Sequence, residues 1–357
     1  MGAAHKSPYN WTLENAVCAK DKGTVFSGLA CGGGSAMGYK RAGFDVVGCN
    51  EIDPRMMAVY VANHKPQYSY LEPIQEFKQR KDLPAELYDL DILDGSPPCT
   101  TFSEAGLREK VWGVEKKFRE GQTKQVLDTL FYDYIDLVEI LKPKVAISEN
   151  VEGLLLPSSM HYVREIYRRF SEIGYICQHF VVDGSLMGVP QARRRVFFIA
   201  IRKELTQNLR MHGNIFEQLP YLDLSFNEKP ITYGEIAYPL DDTPITGEIL
   251  KVLNNAKPTE TDLRYACKRL KGKASLFSYK IVHDNSILGT ITASGAKQII
   301  YKDKRYINTV ESIRSSTFPA DFDFCGQNPV YVMGMSVPPV MMAQVASRIH
   351  EQWLSRL

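Results

Sequence analysis

The chain's seven cysteines, at positions 18, 31, 49, 99, 177, 267 and 325, include no Cys-x-x-Cys pair and no zinc-like spacing. No metal site is expected from them. Their odd number and scatter argue against a disulfide framework and for free thiols in a reducing compartment. No apolar run approaches the roughly 20 residues that a membrane span requires. The first residues, MGAAHKSPYNW, hold no apolar core of a secretory signal. A cytoplasmic protein with no membrane partner is the expectation. An excess of one charge is lacking too: 43 basic against 41 acidic residues leave a net +2 over 357 residues. Any surface for nucleic acid must then be a local basic patch. There is no clean Gly-x-Gly-x-x-Gly, which lowers a nicotinamide reading. There is no Gly-x-x-x-x-Gly-Lys-Ser loop, which removes most of the nucleoside-triphosphate reading. Internal repeats and low-complexity tracts are absent.

What is present is an alternation. Hydrophobic residues make up 44% and charged residues 24%, values of an ordinary globular chain. The length allows one large domain, or a large and a small one. From 24 to about 202, strand-like and helix-like patterns alternate. Thr24, Val25 and Phe26 read as a strand entering a glycine cluster. Residues 35–41 read as a helix stopped near Gly43, and 44–49 as a second strand ending at Glu51. Asp53 and Pro54 open a helix that runs to about Asn63, as cap and first-turn residue. Further strands are expected at 90–93, 144–148, 177–182 and 196–201, and helices at 126–141 and 162–173. Leu127, Leu130, Phe131, Tyr134, Leu137, Val138 and Leu141 share one helical face. The pattern is that of an α/β fold with a doubly wound, mostly parallel sheet.

Beyond Lys203 the pattern breaks, and residues 204–300 read as a smaller, irregular second domain. Within it Arg264, Lys268, Arg269, Lys271, Lys273 and Lys280 run without an intervening acid, interleaved with Tyr265, Phe277 and Tyr279. Such a stretch is either a solvated surface or a contact for phosphates and bases. Residues 338–357 read as a C-terminal helix opened by Pro338 and Pro339.

Four segments carry candidate chemistry. Asp94-Gly95-Ser96-Pro97-Pro98-Cys99 puts a thiol at a strand's C-terminal end, where open α/β sheets place their sites. Two prolines stiffen the backbone that delivers it. Alone, this is equally a loop cysteine of no consequence. The cluster Phe26, Gly28, Gly32, Gly33, Gly34 follows a strand and opens a helix. It suits close approach of a ligand's polar end, or a tight turn with no ligand. Glu51, ending the next strand, suits a ribose diol and so an adenosine-containing cofactor. Ser148-Glu149-Asn150-Val151 sets Glu149 on the strand beside that of Cys99, where a carboxyl can hold or donate a proton; a helix cap or surface acid is the alternative. In Gln191-Ala192-Arg193-Arg194-Arg195, a strand would turn Arg193 and Arg195 to one side and Arg194 to the other. Arginines entering an apolar strand need anionic or carbonyl partners. A base carbonyl, a phosphate or fold-stabilising ion pairs would serve.

Taken in order, these segments resemble the cytosine-5 DNA methyltransferase family of bacterial and phage restriction–modification type. The resemblance continues in Arg305-Tyr306-Ile307-Asn308-Thr309-Val310-Glu311, in Phe318-Pro319, and in Tyr331-Val332-Met333-Gly334-Met335-Ser336-Val337-Pro338-Pro339. It implies the S-adenosylmethionine-dependent methyltransferase fold. A catalytic and cofactor domain would span 1–203, a target-recognition domain 204–304, and a C-terminal segment, 305–357, would return to the catalytic domain. The implied reaction moves a methyl group from S-adenosyl-L-methionine to carbon 5 of a cytosine flipped out of duplex DNA. Cys99 would be the nucleophile, Glu149 would hold the proton at ring nitrogen 3, Arg193 would contact the base carbonyl, and Arg195 would support them. Phe26, Gly28, Gly32, Gly33 and Gly34 would cradle the cofactor. Glu51 would hold its ribose and Ile52 its adenine, with Ile74, Pro98, Leu130, Ser336 and Val337 around it. Ser103, Arg108 and Lys110, on a mobile loop over 100–125, would meet DNA. So would Gln191, Arg194, Arg264, Lys268, Arg269 and Lys271. The implied partners are double-stranded DNA and a cognate restriction endonuclease, for a monomeric enzyme. Rival readings are a transfer-RNA cytosine methyltransferase of the same family, and a catalytically silent DNA-binding or partner-activating member. Two positions depart from the pattern. Pro73 precedes Ile74 where the family has an acid for the adenine amino group, leaving Glu72 or Gln75 to substitute. Met335 stands where the family has an asparagine, which removes an amide near the methionine end of the cofactor.

Overall fold

The computed structural model describes residues 5–97, 115–116, 125–126, 129–209, 220–240, 243–276, 279–295 and 297–357. The chain divides into two compact units. The larger comprises 17–182, 194–226 and 342–357. Its strands are β1 (Thr24–Gly28), β2 (Asp45–Glu51), β3 (Tyr68–Leu71), β4 (Ile92–Gly95), β7 (Val145–Val151), β8 (Tyr175–Asp183) and β9 (Arg194–Arg202). They form one sheet in the order β3-β2-β1-β4-β7-β9-β8. The pairs β1–β2, β1–β4, β2–β3 and β4–β7 are parallel, and β7–β9 is antiparallel. The sheet is thus doubly wound and mostly parallel, the fold expected of the alternation. A two-residue pair, β5 (Glu115–Lys116) and β6 (Gln125–Val126), is antiparallel.

The helices of this unit are α1 (Gly34–Ala42), α2 (Pro54–His64), α3 (Ile74–Phe77), α4 (Leu130–Leu141) and α5 (Met160–Glu172). Their ends follow local chemistry. Asp53 Oδ1 accepts the Arg55 amide at 2.9 Å, and Pro54 fills the first position of α2. Gly43, at φ 97°, stops α1 in a conformation that other residues adopt only with strain. The apolar stripe of α4 is buried as expected: Leu130, Phe131, Tyr134, Leu137, Val138 and Leu141 pack with Phe26, Leu93, Ala146, Phe198 and Ala200 of the sheet. Alternate strand residues point to the other face.

Strand β4, which leads toward Cys99, is fixed at its end from that stripe. The Tyr134 hydroxyl lies 2.8 Å from the carbonyl oxygens of both Leu93 and Ile147. Its ring fills the place of a side chain at Gly95, since an added Cβ would stand 2.5 Å from Tyr134 Cε2. Gly95→Ala is therefore expected to lower stability by about 1–3 kcal/mol through overpacking, seen as an earlier midpoint in urea unfolding.

The smaller unit comprises 1–16, 183–193 and 227–341. It is less irregular than its sequence suggests. It holds α6 (Tyr233–Ile236), α7 (Gly247–Leu253), α8 (Arg264–Lys271), and a three-stranded sheet of β10 (Lys280–Val282), β11 (Gln298–Ile300) and β12 (Arg305–Tyr306). α9 (Thr309–Ser315) and α10 (Pro329–Met335) follow. Val252, Leu253, Leu263, Cys267, Ile281 and Ile299 share a small core. These strands are two or three residues long, too short for a clear alternation.

The boundaries expected at 203 and 304 are not those of the two units. Residues 305–341 stay with the smaller unit because a buried network ties them to 233–238. Arg305 pairs with Glu311 at 2.7 and 2.8 Å and reaches the Tyr233 hydroxyl at 3.0 Å. Asn308 and Glu311 close a capping box on α9, and Asn308 also donates to the Tyr238 carbonyl. Residues 204–209 and 220–226 belong instead with the larger unit, where Gln178 donates to the Pro220 carbonyl at 2.6 Å. The C-terminal helix α11 (Pro339–Gln352) begins at the expected proline. The stretch Pro329–Arg356 is long and apolar enough by composition to cross a membrane, contrary to the expectation that no run is. It is broken into α10 and α11 and mostly buried, as core helices are.

Candidate active site

The turn between β1 and α1 is built under strain. Leu29 and Cys31 have φ of 55° and 49°, in the left-handed region, at a cost of about 1–3 kcal/mol each. Glu51 holds the turn there. Its Oε2 accepts the Cys31 amide at 2.7 Å and its Oε1 accepts the Asp53 amide at 2.9 Å. Burial raises the pKa of this carboxyl, against the amide hydrogen bonds that lower it. The residue expected on a ribose thus braces the turn against the start of α2, and its remaining lone pairs are what a diol would use. Gly33, at φ 87°, can be nothing larger: a Cβ would stand 2.3 Å from His64 Nε2. Burial lowers the His64 pKa to about 3, so its ring stays neutral. Gly33 caps α1 with no side-chain acceptor, which leaves the first amides of the helix for other partners.

Other expected cofactor contacts sit deeper. Phe26, Ile74 and Leu130 are buried core residues, with Phe26 stacked on Phe77 at 5.4 Å. Their role here is to pack the wall beneath the turn. Ile52 is half-buried directly after Glu51. The proposed substitutes for the missing acid are engaged elsewhere: Glu72 lies 3.3 Å from Arg80, and Gln75 donates to Asp133 at 2.8 Å. In the smaller unit, Ser336 and Val337 are buried, and Ser336 Oγ donates to the Val332 carbonyl at 2.8 Å.

At the tip of β7, Glu149 pairs with Arg195. Arg195 Nε stands 2.8 Å from Glu149 Oε1, and both side chains are largely buried. Val151 lies opposite Arg195 in the β7–β9 register, so the contact runs diagonally across the strands. Next to Glu149, Asn150 turns its amide to the Pro97 carbonyl at 3.2 Å. This anchors the start of the Pro-Pro-Cys segment to the strand that carries Glu149. No role for Asn150 follows from its motif alone; its signal in the sequence is an amide next to the expected carboxyl. Pro98, Cys99, Ser103, Arg108, Lys110 and most of the 100–125 loop lie outside the described residues.

The three arginines separate. The strand β9 begins at Arg194, so Arg193 precedes it and does not share a strand face with Arg195. Arg193 is buried in the smaller unit, donating to the carbonyls of Ile291 at 3.0 Å, Ser336 at 2.8 Å and Gly334 at 3.2 Å. The guanidinium beside Glu149 is that of Arg195, not the one the resemblance assigned to the base. Gln191, expected at DNA, is buried too: its amide oxygen accepts from Ile291 N at 3.1 Å. Arg194 forms an exposed two-pronged pair with Glu152, at 2.9 and 2.7 Å. On α8, Arg264 pairs with Asp262 at 2.9 Å, Lys271 with Glu248 at 2.7 Å, and Arg269 with Glu260. Lys268 is exposed. Three of the four expected phosphate contacts on this helix are therefore neutralised by acids that precede the basic run in sequence.

Comparison with known proteins fits this architecture. A family model for C-5 cytosine-specific DNA methylases matches residues 24–351. The chain is 32% identical over 182 residues to the Type II methyltransferase M.FnuDI of Fusobacterium nucleatum, covering 51% of this chain and 47% of that one. It is 30% identical over 222 residues to the Type II methyltransferase M.NgoPII of Neisseria gonorrhoeae, covering 62% and 57%. The chain thus spans about half the length of these curated relatives. Among solved structures, an Escherichia coli prophage protein titled a DNA modification methyltransferase shares the fold. Its TM-score is 0.63 at 19% identity, covering 92% of this chain and 99% of that one. The glycine turn, the Glu149–Arg195 pair and the anchored Pro97 are thus set in a chain that belongs to the C-5 cytosine-specific DNA methylase family.

Proposed function

We propose that this protein transfers a methyl group from S-adenosyl-L-methionine to carbon 5 of cytosine in a specific duplex DNA sequence. The observation that carries the reading is the tip of β7. One strand there presents a carboxyl held by an arginine, and its next residue grips the chain that leads to Cys99. Cytosine is a poor electrophile, so thiolate addition needs help at the ring. The Cys99 thiolate adds to carbon 6, which makes carbon 5 nucleophilic. Glu149 holds the proton at ring nitrogen 3 as charge develops, and Arg195 fixes Glu149 and supplies positive charge beside the base carbonyl. Once carbon 5 carries the methyl group, water takes the carbon-5 proton, the 5,6 double bond re-forms and the thiolate leaves. The target base must leave the helical stack to meet a thiol.

The residues present fit the cofactor. Strained Leu29 and Cys31, a glycine at 33 that tolerates no side chain, uncapped amides at α1 and the Glu51 carboxylate make a turn suited to a polar ligand. Gly28, Gly32, Gly33 and Gly34 would hold it, with Glu51 at its ribose and Ile52 at its adenine. When bound, the sulfonium supplies an electrophilic methyl group. The relatives' Type II names support a cognate restriction endonuclease as partner, and their sources support a bacterial or phage-infected cytoplasm. The deciding experiment incubates the protein with labelled S-adenosylmethionine and either duplex DNA or transfer RNA. Label at cytosine carbon 5 of duplex DNA supports the reading. Label on transfer RNA alone, or on neither, overturns it.

A further inference from the structure

Asp94 is an acid inside an apolar strand. It is the third residue of β4 and is 2% exposed. In the sheet register it stands between Ser27 of β1 and Ile147 of β7. Its Oδ2 accepts the Ser27 hydroxyl at 3.0 Å, and its Oδ1 accepts the Tyr39 hydroxyl of α1 at 3.1 Å. These two partners flank the glycine turn: Ser27 directly precedes Gly28, and Tyr39 belongs to the helix that the turn opens. Asp94 itself lies five residues before Cys99. The titratable groups that face it are Tyr39 from α1, Tyr60 from α2, Tyr134 from α4 and Glu149 from β7.

A carboxyl in this place is costly to ionise. Burial pushes its pKa up to about 7, although both hydroxyls favour the charged form, and the Glu149 charge adds to the rise. The native state therefore holds the Asp94 proton more tightly than the unfolded chain, whose carboxyl titrates at 3.8. The stability this proton confers is present below the unfolded value and is lost as pH rises through the native one. An apolar residue would avoid that loss. Groups that cost stability and stand beside a reaction centre are where function is the better explanation.

We propose that Asp94 is a positioning residue for methyl transfer: it locks the end of β4, and with it the chain leading to Cys99, to the strand and helix on either side of the glycine turn. The inference rests on the function proposed above. Asp94→Ala removes the lock. Asp94→Asn keeps the shape and can bond both hydroxyls, one as acceptor and one as donor. In single-turnover methylation of duplex DNA, Asp94→Ala is expected to lower the transfer rate about tenfold or more, with DNA affinity within about twofold of wild type. Asp94→Asn restores the rate to within about threefold, and Ser27→Ala and Tyr39→Phe each lower it severalfold. Asp94→Asn also melts at a higher temperature than wild type at pH 8, and by a smaller margin at pH 5. An unchanged rate in Asp94→Ala overturns the inference. So does an Asn variant as slow as the Ala variant, or DNA affinity falling in step with rate. If Asp94→Ala fails to fold, wild-type rates in both Ser27→Ala and Tyr39→Phe overturn it. A wild-type protein that methylates no cytosine overturns the functional reading itself, whereas slow variants against an active wild type bear on Asp94 alone.

Discussion

With S-adenosylmethionine present, the wild-type protein is expected to form a covalent adduct on duplex DNA carrying 5-fluorocytosine, and Cys99→Ser to abolish it. The fluorine cannot leave carbon 5 as a proton does, so the reaction halts with the thiol still bonded to carbon 6. Electrophoresis under denaturing conditions would show the wild-type protein retarded with its DNA and the serine variant free. A serine hydroxyl is far less acidic and less nucleophilic than a thiol. Methyl transfer should fall by a factor on the order of 10⁴ or more, as for loss of other catalytic nucleophiles. DNA binding should survive, because a nucleophile contributes little to holding the duplex. Adduct formation by Cys99→Ser would remove the thiol from the mechanism.

The second large effect concerns the pair at the tip of β7. Arg195→Ala should slow methyl transfer by about 10²–10³, the usual loss when one charge-stabilising donor is removed. Glu149→Gln should slow it by about 10²–10⁴, the range for loss of a general acid or base. The two losses should not add, because the Arg195 guanidinium stands 2.8 Å from the Glu149 carboxylate. A double-mutant cycle on single-turnover rates measures the coupling, and strictly additive losses would dissociate the two side chains. Arg194→Ala provides the contrast. Its pair with Glu152 is exposed, so its removal should cost at most about 1 kcal/mol of stability. If Arg194→Ala proved as slow as Arg195→Ala, the assignment of roles along this strand would be wrong.

The arginine triplet also shows where sequence reading reaches its limit. Patterns set by neighbours in the chain were legible. Asp53 and Pro54 start α2, the buried stripe from Leu130 to Leu141 makes α4, and the alternation predicts a doubly wound sheet. The order of the glycine cluster, Cys99, Glu149 and the 191–195 segment points to a chemistry through its resemblance to a known family, which gives the base to Arg193 and a supporting part to Arg195. Partners remote in sequence were not legible. Arg193 bonds carbonyls about 100 to 140 residues away, which no local window reveals. The basic run on α8 looks uncompensated only until Glu248, Glu260 and Asp262 fold against it. Phe26 resembles a ligand contact by its place before glycines, yet its ring is buried against Phe77.

The buried network that joins Tyr233 and Tyr238 to Glu311 limits which segments can be exchanged between relatives. A hybrid that exchanged residues 204–304 alone would put a foreign side chain in place of Tyr233, whose hydroxyl donates to the fully buried Glu311 carboxylate at 2.8 Å. Losing a hydrogen bond to a buried charged group costs about 1.5–3 kcal/mol, an appreciable share of what keeps a domain folded. A cassette running from 227 to 341 carries both halves of the network together. Recombination that reshuffled such enzymes would leave viable offspring chiefly when its crossovers fell at those seams.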